Sequence, residues 1–173
     1  MQKKAFFRIS FASALTAFFA ACSTPTVSSD DDSNDSLNRG EPYSSSADLA
    51  SIYEAVEESG LYTTRDSVAA YLCKFDKLPD NYVGKNEGES LYESKTGKAF
   101  EKWNFNPWTT LGVMIGGDVF SNKEELLPKG SYHEADVDYS AKNRGTKRLV
   151  YESDCVIYYT SDHYESFTRL EVR

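Results

Sequence analysis

The chain has few of the side chains that metal and thiol chemistry use: two histidines and three cysteines in 173 residues. No C-x-x-C pair occurs, so a structural zinc site lacks its usual ligand spacing. Neither His133 nor His163 has further ligands singled out by spacing, and no metal and no cofactor are expected. A G-x-S-x-G nucleophile elbow is also missing. The apolar run at residues 11–21 falls short of the ~20 residues that span a bilayer. No internal repeat is apparent. Cations are the minority charge, 19 basic against 27 acidic residues, for a formal net charge of −8. Polyanion binding is driven largely by counterion release onto basic side chains, so any nucleic-acid contact has to come from a local cluster, with modest affinity for long polyanions.

The acidity is uneven. Residues 23–60 hold nine acids and one base, Arg39, so this stretch alone carries −8, while residues 61–173 carry a net of only −3. Residues 1–22 place Lys3, Lys4 and Arg8 ahead of the apolar run and end F-A-A-C at Cys22, the layout of a bacterial export signal. Cys22 suits lipidation as a mature N-terminus, although Phe19 departs from the leucine usual there and leaves plain secretion with a nearby cleavage open. Residues 23–46, rich in Ser, Asp, Asn and Pro, cannot bury enough apolar surface to fold and read as a tether. Cys73 and Cys155 then remain as an even pair in an oxidising compartment; a disulfide and two buried thiols both fit.

Beyond the tether the chain is long enough for one domain. Residues 47–59 set Leu49, Ile52, Tyr53 and Val56 on one helical face before Gly60, an extra amphipathic helix. Thr63 or Thr64 caps a main helix with Asp66 in its first turn and Val68, Ala69, Leu72 and Phe75 facing inward. It ends near Asp76, a charge that opposes the helix dipole. Short helices are expected at 85–92 and 96–104, and an irregular stretch at 104–110, where Trp103 and Trp108 serve packing. Strand character follows at 113–120, 132–138, 147–152, 155–160 and 166–172, with a tight hairpin at Glu152-Ser153-Asp154. Helices first and strands afterwards argue for an α+β fold, N-terminal helices packed on a C-terminal antiparallel sheet of about five strands. The division is a signal at 1–22, a tether at 23–46, the extra helix at 47–60 and one domain at 61–173.

The chemistry gathers around I-G-G-D-V-F-S-N-K-E at residues 115–124 together with Glu134, Arg144, Arg148 and the pair His163-Tyr164. Two glycines in a strand mark a close approach or a sharp turn, and the polar loop after them has free backbone N–H groups and a carboxylate able to bond the edge of a base. A carboxylate, a histidine and two or three cations can cleave RNA without a metal, because the ribose 2′-hydroxyl is the nucleophile. One group removes its proton, another protonates the departing 5′-oxygen, and the cations stabilise the phosphoryl oxygens.

From about Leu61 onward the chain resembles barnase and its relatives among the extracellular guanyl-preferring bacterial ribonucleases. The likeness rests on K-L-P-D-N-Y at 77–82, I-G-G-D-V-F-S-N at 115–122, E-A-D at 134–136, R-x-x-x-R at 144–148, S-D at 153–154 and T-x-D-H-Y-x-x-F-T at 160–168, in that order. It implies Glu134 as general base and His163 as general acid in forming a 2′,3′-cyclic phosphate, exchanging roles in its hydrolysis. It also implies Lys85, Arg144 and Arg148 as phosphate-binding cations and Asp136 as the residue that orients the arginines. Phe120, Ser121, Asn122, Lys123 and Glu124 correspond to the guanine-reading loop and Tyr164 to the aromatic packing on the base. RNA is the implied substrate of a monomer, a barstar-like inhibitor protein an implied partner, and a lipid anchor at Cys22 the implied link to a membrane.

The chain departs from that pattern in places. Lys123 replaces an arginine and lacks its bidentate fork. The segment before Glu134 is shorter, and the one between Lys85 and Ile115 longer, than in barnase. Taken singly, Glu134 could be a solvent-facing strand carboxylate, His163 a loop cap and Lys85 a surface lysine; His133 reads as a strand residue at the site's edge, and Asp118 and Asp154 as turn holders. The alternative function is a non-catalytic lipoprotein that binds nucleotides or a protein partner on the same scaffold.

Overall fold

The computed structural model describes residues 45–173; the expected signal, almost all of the tether and Cys22 lie outside the described residues. Helix α1 (Ser46–Ala55) opens with a capping box in which Ser45 and Asp48 bond reciprocally. Leu49 and Val56 are buried from this segment, and Lys74 clasps its far end by donating to the carbonyls of Tyr53, Glu54 and Val56 at 3.0, 3.0 and 2.9 Å. A cation there answers both the orphan carbonyls and the negative end of the helix dipole.

Helix α2 (Arg65–Phe75) is the central helix. Val68, Ala69, Leu72 and Cys73 face Val137, Leu149, Ile157, Tyr159, Leu170 and Val172 in the main core. The helix stops at Asp76 in the left-handed conformation (φ 52°), its N–H bonded to Leu72 O at 2.9 Å. Aspartate tolerates that conformation better than most residues, which accounts for a carboxylate at an end that the dipole disfavours. From α2, Cys73 is joined to Cys155 by a disulfide with Cα atoms 4.4 Å apart, so the two are not free thiols.

The sheet differs from the expected all-antiparallel one of about five strands. It has six strands in the order β1 (Tyr82–Val83), β2 (Met114–Phe120), β3 (Tyr132–Asp136), β4 (Arg148–Glu152), β5 (Val156–Thr160) and β6 (Thr168–Arg169), and β1 runs parallel to β2. Two residues after a proline turn carry no readable periodicity, which is why β1 is invisible in the sequence. At the other edge only Thr168 and Arg169 pair, against Tyr159 and Tyr158, although Leu170 and Val172 are still buried in the core.

Helix α3 (Lys85–Thr96) is longer than expected and runs to Gly97 (φ 69°), while no helix forms at 96–104. A five-residue helix α4 (Pro107–Leu111) occupies the stretch expected to be irregular, capped by Asn106 accepting from Thr109 N at 3.1 Å. The β4–β5 turn falls at residues 153–155, one place later than read, with Asp154 and Cys155 both at positive φ.

Register decides which face does what. Glu134 pairs with Val150, Asp136 with Arg148, Val150 with Tyr158 and Arg148 with Thr160, so these residues share one face of the sheet. The alternate residues Leu149, Ile157 and Tyr159 belong to the core beneath α2. A slip of one residue would drive the charges into that core.

Candidate active site

Glu134 lies mid-strand in β3, only 6% exposed, with both carboxylate oxygens engaged. Lys85 donates to Oε1 and the Tyr164 hydroxyl to Oε2. Burial alone would raise its pKa, but the bonds from Lys85 and Tyr164 and the charges of Lys85 and Arg148 outweigh burial and hold it below the ordinary glutamate value. Glu134 is therefore ionised at neutral pH. Burial, and then the bond to Glu134, push the Tyr164 pKa up, so that phenol stays protonated and donates.

Lys85 reaches Glu134 because of a local irregularity in β2. The strand shifts register between Gly116 and Asp118, and Gly117 at φ 89° supplies a conformation that a side chain would strain. A Cβ at Gly116 would come within 2.8 Å of Tyr82 and 3.0 Å of the Ala135 Cα, so β2 can lie between β1 and β3 only with glycine there. The shift brings Asp118 opposite Glu134, where its Oδ2 accepts from Lys85 N at 3.0 Å. Asp118 thereby caps α3, and the first residue of that helix projects its ammonium onto Glu134.

Two residues further along β3, on the same face, Asp136 is 1% exposed and binds two arginines. Arg144 reaches it through Nε and, at 2.8 Å, through Nη2 to Oδ1; Arg148 Nε lies 2.7 Å from the same Oδ1. Tyr139 adds a hydroxyl bond to Oδ2 at 2.8 Å and itself accepts from Ile115 N at 2.9 Å. Arg148 also donates to the carbonyls of Lys147 at 2.7 Å and Gly145 at 3.2 Å. A buried arginine and a half-buried one thus share one buried carboxylate, leaving net positive charge beside Glu134.

His163 and Tyr164 follow β5, both at positive φ (62° and 75°). That backbone is costly for non-glycine residues and persists only where the surroundings hold it. Buried Thr160 accepts from Tyr164 N at 3.0 Å and donates to Asp162 Oδ1 at 2.8 Å; the same Oδ1 accepts from the N–H groups of Glu165 and Ser166, each at 3.0 Å. Bonds from Ser166, Thr160 and Glu165 lower the Asp162 pKa to about 2. The exposed imidazole of His163 packs on the Tyr164 ring, centroids 4.7 Å apart, and borders a cleft with Trp103, Asn104, Arg144 and Arg148.

Phe120 at the end of β2 joins the loop at 121–124 to this group through its ring contact with Tyr164, at 5.3 Å. Asn122 is committed to the loop itself: its amide donates to Leu127 O at 2.7 Å and accepts from Leu127 N at 3.1 Å. Ser121, Lys123 and Glu124 are exposed. His133 sits at the edge, exposed, its Nδ1 3.0 Å from Gly117 O.

The structure brings together Glu134, Lys85, Tyr164, Asp136, Arg144 and Arg148, with His163 on the bordering cleft; Lys123 and Glu124 stay on an outer loop. Sequence reading missed Tyr139 and Thr160. The spacing of Thr160, Asp162 and Ser166 is a signal for a side-chain-bonded turn; nothing in sequence ties Tyr139 to Asp136.

A family model described as ribonuclease matches residues 65–171. The chain belongs to the ribonuclease family. It is 42% identical over 118 residues to a ribonuclease of Bacillus intermedius, covering 66% of this chain and 69% of that one. With a ribonuclease of Heyndrickxia coagulans it shares 44% over 110 residues, 62% of this chain and 95% of the relative. Guanyl-specific ribonuclease St of Saccharopolyspora erythraea is 46% identical over 55 residues, 30% of this chain and 54% of that one. In this ribonuclease the family match begins at the first residue of α2, so α1 lies outside it.

Proposed function

We propose that this ribonuclease is an exported endonuclease that cleaves single-stranded RNA after guanosine, with no metal in the reaction. The observation that carries the reading is the ionised Glu134 carboxylate held among Lys85, Arg148 and Tyr164, with the His163 imidazole packed on the Tyr164 ring. Glu134 accepts the proton of the ribose 2′-hydroxyl, which displaces the Tyr164 phenol from Oε2. The 2′-oxygen bonds to phosphorus as the bond to the 5′-oxygen breaks, and protonated His163 gives its proton to that leaving oxygen. The products are a 2′,3′-cyclic phosphate and a free 5′-hydroxyl. In the second stage water takes the place of the leaving alcohol and the proton transfers reverse, giving a 3′-phosphate.

Lys85, Arg144 and Arg148 stabilise charge on the phosphoryl oxygens, with Asp136 orienting the two arginines. Guanine preference is assigned to Phe120, Ser121, Asn122, Lys123 and Glu124: backbone donors meet the base oxygen, Glu124 accepts from the base N–H groups, and Tyr164 packs on the ring. A guanyl-specific relative supports that assignment. Export rests on the signal-like residues 1–22 and agrees with the Cys73–Cys155 disulfide. Lipidation at Cys22, the acidic tether, a monomeric state and a barstar-like inhibitor belong to the same reading.

The purified protein should cleave guanosine-containing RNA in excess EDTA, with products ending in guanosine 3′-phosphate. Glu134→Ala and His163→Ala should each lower kcat about 10²- to 10⁴-fold with the circular dichroism spectrum retained. Folded protein without cleavage in EDTA, or an active double variant, would overturn the proposal.

A further inference from the structure

Arg144 and Arg148 share a carboxylate but not a mode of attachment. Arg148 belongs to β4 and is tied to two backbone carbonyls as well as Asp136. Arg144 comes from the segment between β3 and β4, where Ser140, Asn143 and Gly145 bond to one another and the neighbouring residues are exposed. Asp136 grips the edge of the Arg144 guanidinium through Nε and Nη2. Its face needs a separate restraint.

That restraint is Trp103. The Arg144 guanidinium carbon lies 5.4 Å from the centroid of the indole. The indole is itself confined: Phe100 packs at 4.7 Å and Phe105 at 5.6 Å between centroids. In α3, Gly88 leaves room for the indole, since a Cβ there would come within 2.8 Å of Trp103 Cη2. Gly88 stands one turn after Lys85, so a single ring braces the loop carrying Arg144 against the helix carrying Lys85. Trp103 also borders the cleft that holds His163.

We propose that Trp103 is a positioning residue for the cleavage reaction, holding the plane of the Arg144 guanidinium so that its remaining N–H groups meet the phosphate. This rests on the reading of Arg144 as a phosphate cation. The guanidinium carbon sits over the indole ring, a cation–π contact that a planar guanidinium can extend by stacking; the compact ammonium of lysine lacks that shape.

The test is a double-mutant cycle on a guanosine dinucleotide. Trp103→Leu should lower kcat about 2- to 30-fold, with KM nearly unchanged, and Trp103→Phe should recover most of the loss. In an Arg144→Lys background the leucine substitution should change kcat by less than about twofold, the remainder expected of uncoupled residues. Equal losses in both backgrounds, or no loss with Arg144 intact, would overturn the proposal. Should the leucine variant not fold, progressively fluorinated tryptophan at 103 in a Trp108→Phe background keeps the shape while draining charge from the ring face. A stepwise fall in kcat supports the contact, and a flat series overturns it. Arg144→Ala separates the two failures: full activity there refutes the role of Arg144, whereas a strong loss there with a silent Trp103→Leu refutes only the role of Trp103.

Discussion

The sheet-borne half of the site and its loop-borne half are held by different forces. Glu134, Asp136 and Arg148 project from paired strands, are buried, and are fixed by charges answering one another. The segments carrying residues 121–124 and His163 are mostly exposed and keep their shape through side chains bonded to their own backbone, Asn122 in one and Asp162 in the other. Damage to the first half should therefore reach the whole fold, because an unpaired buried charge has no solvent to relieve it. Damage to the second should reach function while leaving stability nearly alone.

The largest expected effect is at Asp136. Asp136→Asn leaves the charges of Arg144 and Arg148 without their carboxylate and should lower the unfolding free energy about 3–5 kcal/mol, measured by urea titration at pH 7. A loss under about 1 kcal/mol would mean that the sheet half does not depend on its charges. Asn122→Ala should behave oppositely. It removes bonds to Leu127 on an outer loop, lowering stability by about 1 kcal/mol but kcat/KM on a guanosine dinucleotide about tenfold, the equivalent of some 1.4 kcal/mol. Equal stability losses at Asp136 and Asn122 would erase the distinction.

The smallest effect joins the halves. Tyr164→Phe removes one of the donors that lower the Glu134 pKa, leaving Lys85 and Arg148 in place. The Glu134 pKa should rise, moving the acid limb of kcat/KM to higher pH by less than about one unit. Because the folded-state value is depressed, Glu134 contributes stability above its unfolded pKa that is lost as pH falls through the folded value. The phenylalanine variant should show a smaller loss over that acid range. An unmoved acid limb would argue that Tyr164 does not act on Glu134.

Much of the site was readable because its residues occur in short words: E-A-D puts Glu134 and Asp136 on one strand face, and R-x-x-x-R joins a strand arginine to a loop arginine. The apolar stripe of α2 was legible for a similar reason, since Val68, Ala69 and Leu72 recur at helical spacing and are buried in the core, with Phe75 partly buried against it. Less was legible where no period exists. β1 is two residues long, and α3 continues past Tyr92 to stop at Gly97. The aromatic sequence around Trp103 points to packing, and the indole does pack; that it also contacts Arg144, 41 positions later in the chain, has no local signature.

The order of residues alone determined the chemical inventory, the alternation that sends charges to one side of the strands and the amphipathic helix behind them, because periodicity and side-chain type are properties of neighbours. Tertiary structure decided the Cys73–Cys155 bond, the parallel edge strand, the Tyr139 hydroxyl on Asp136 and the indole on Arg144. Those depend on distances between segments far apart in the chain, which are set only once register, bulge and packing have closed around one another.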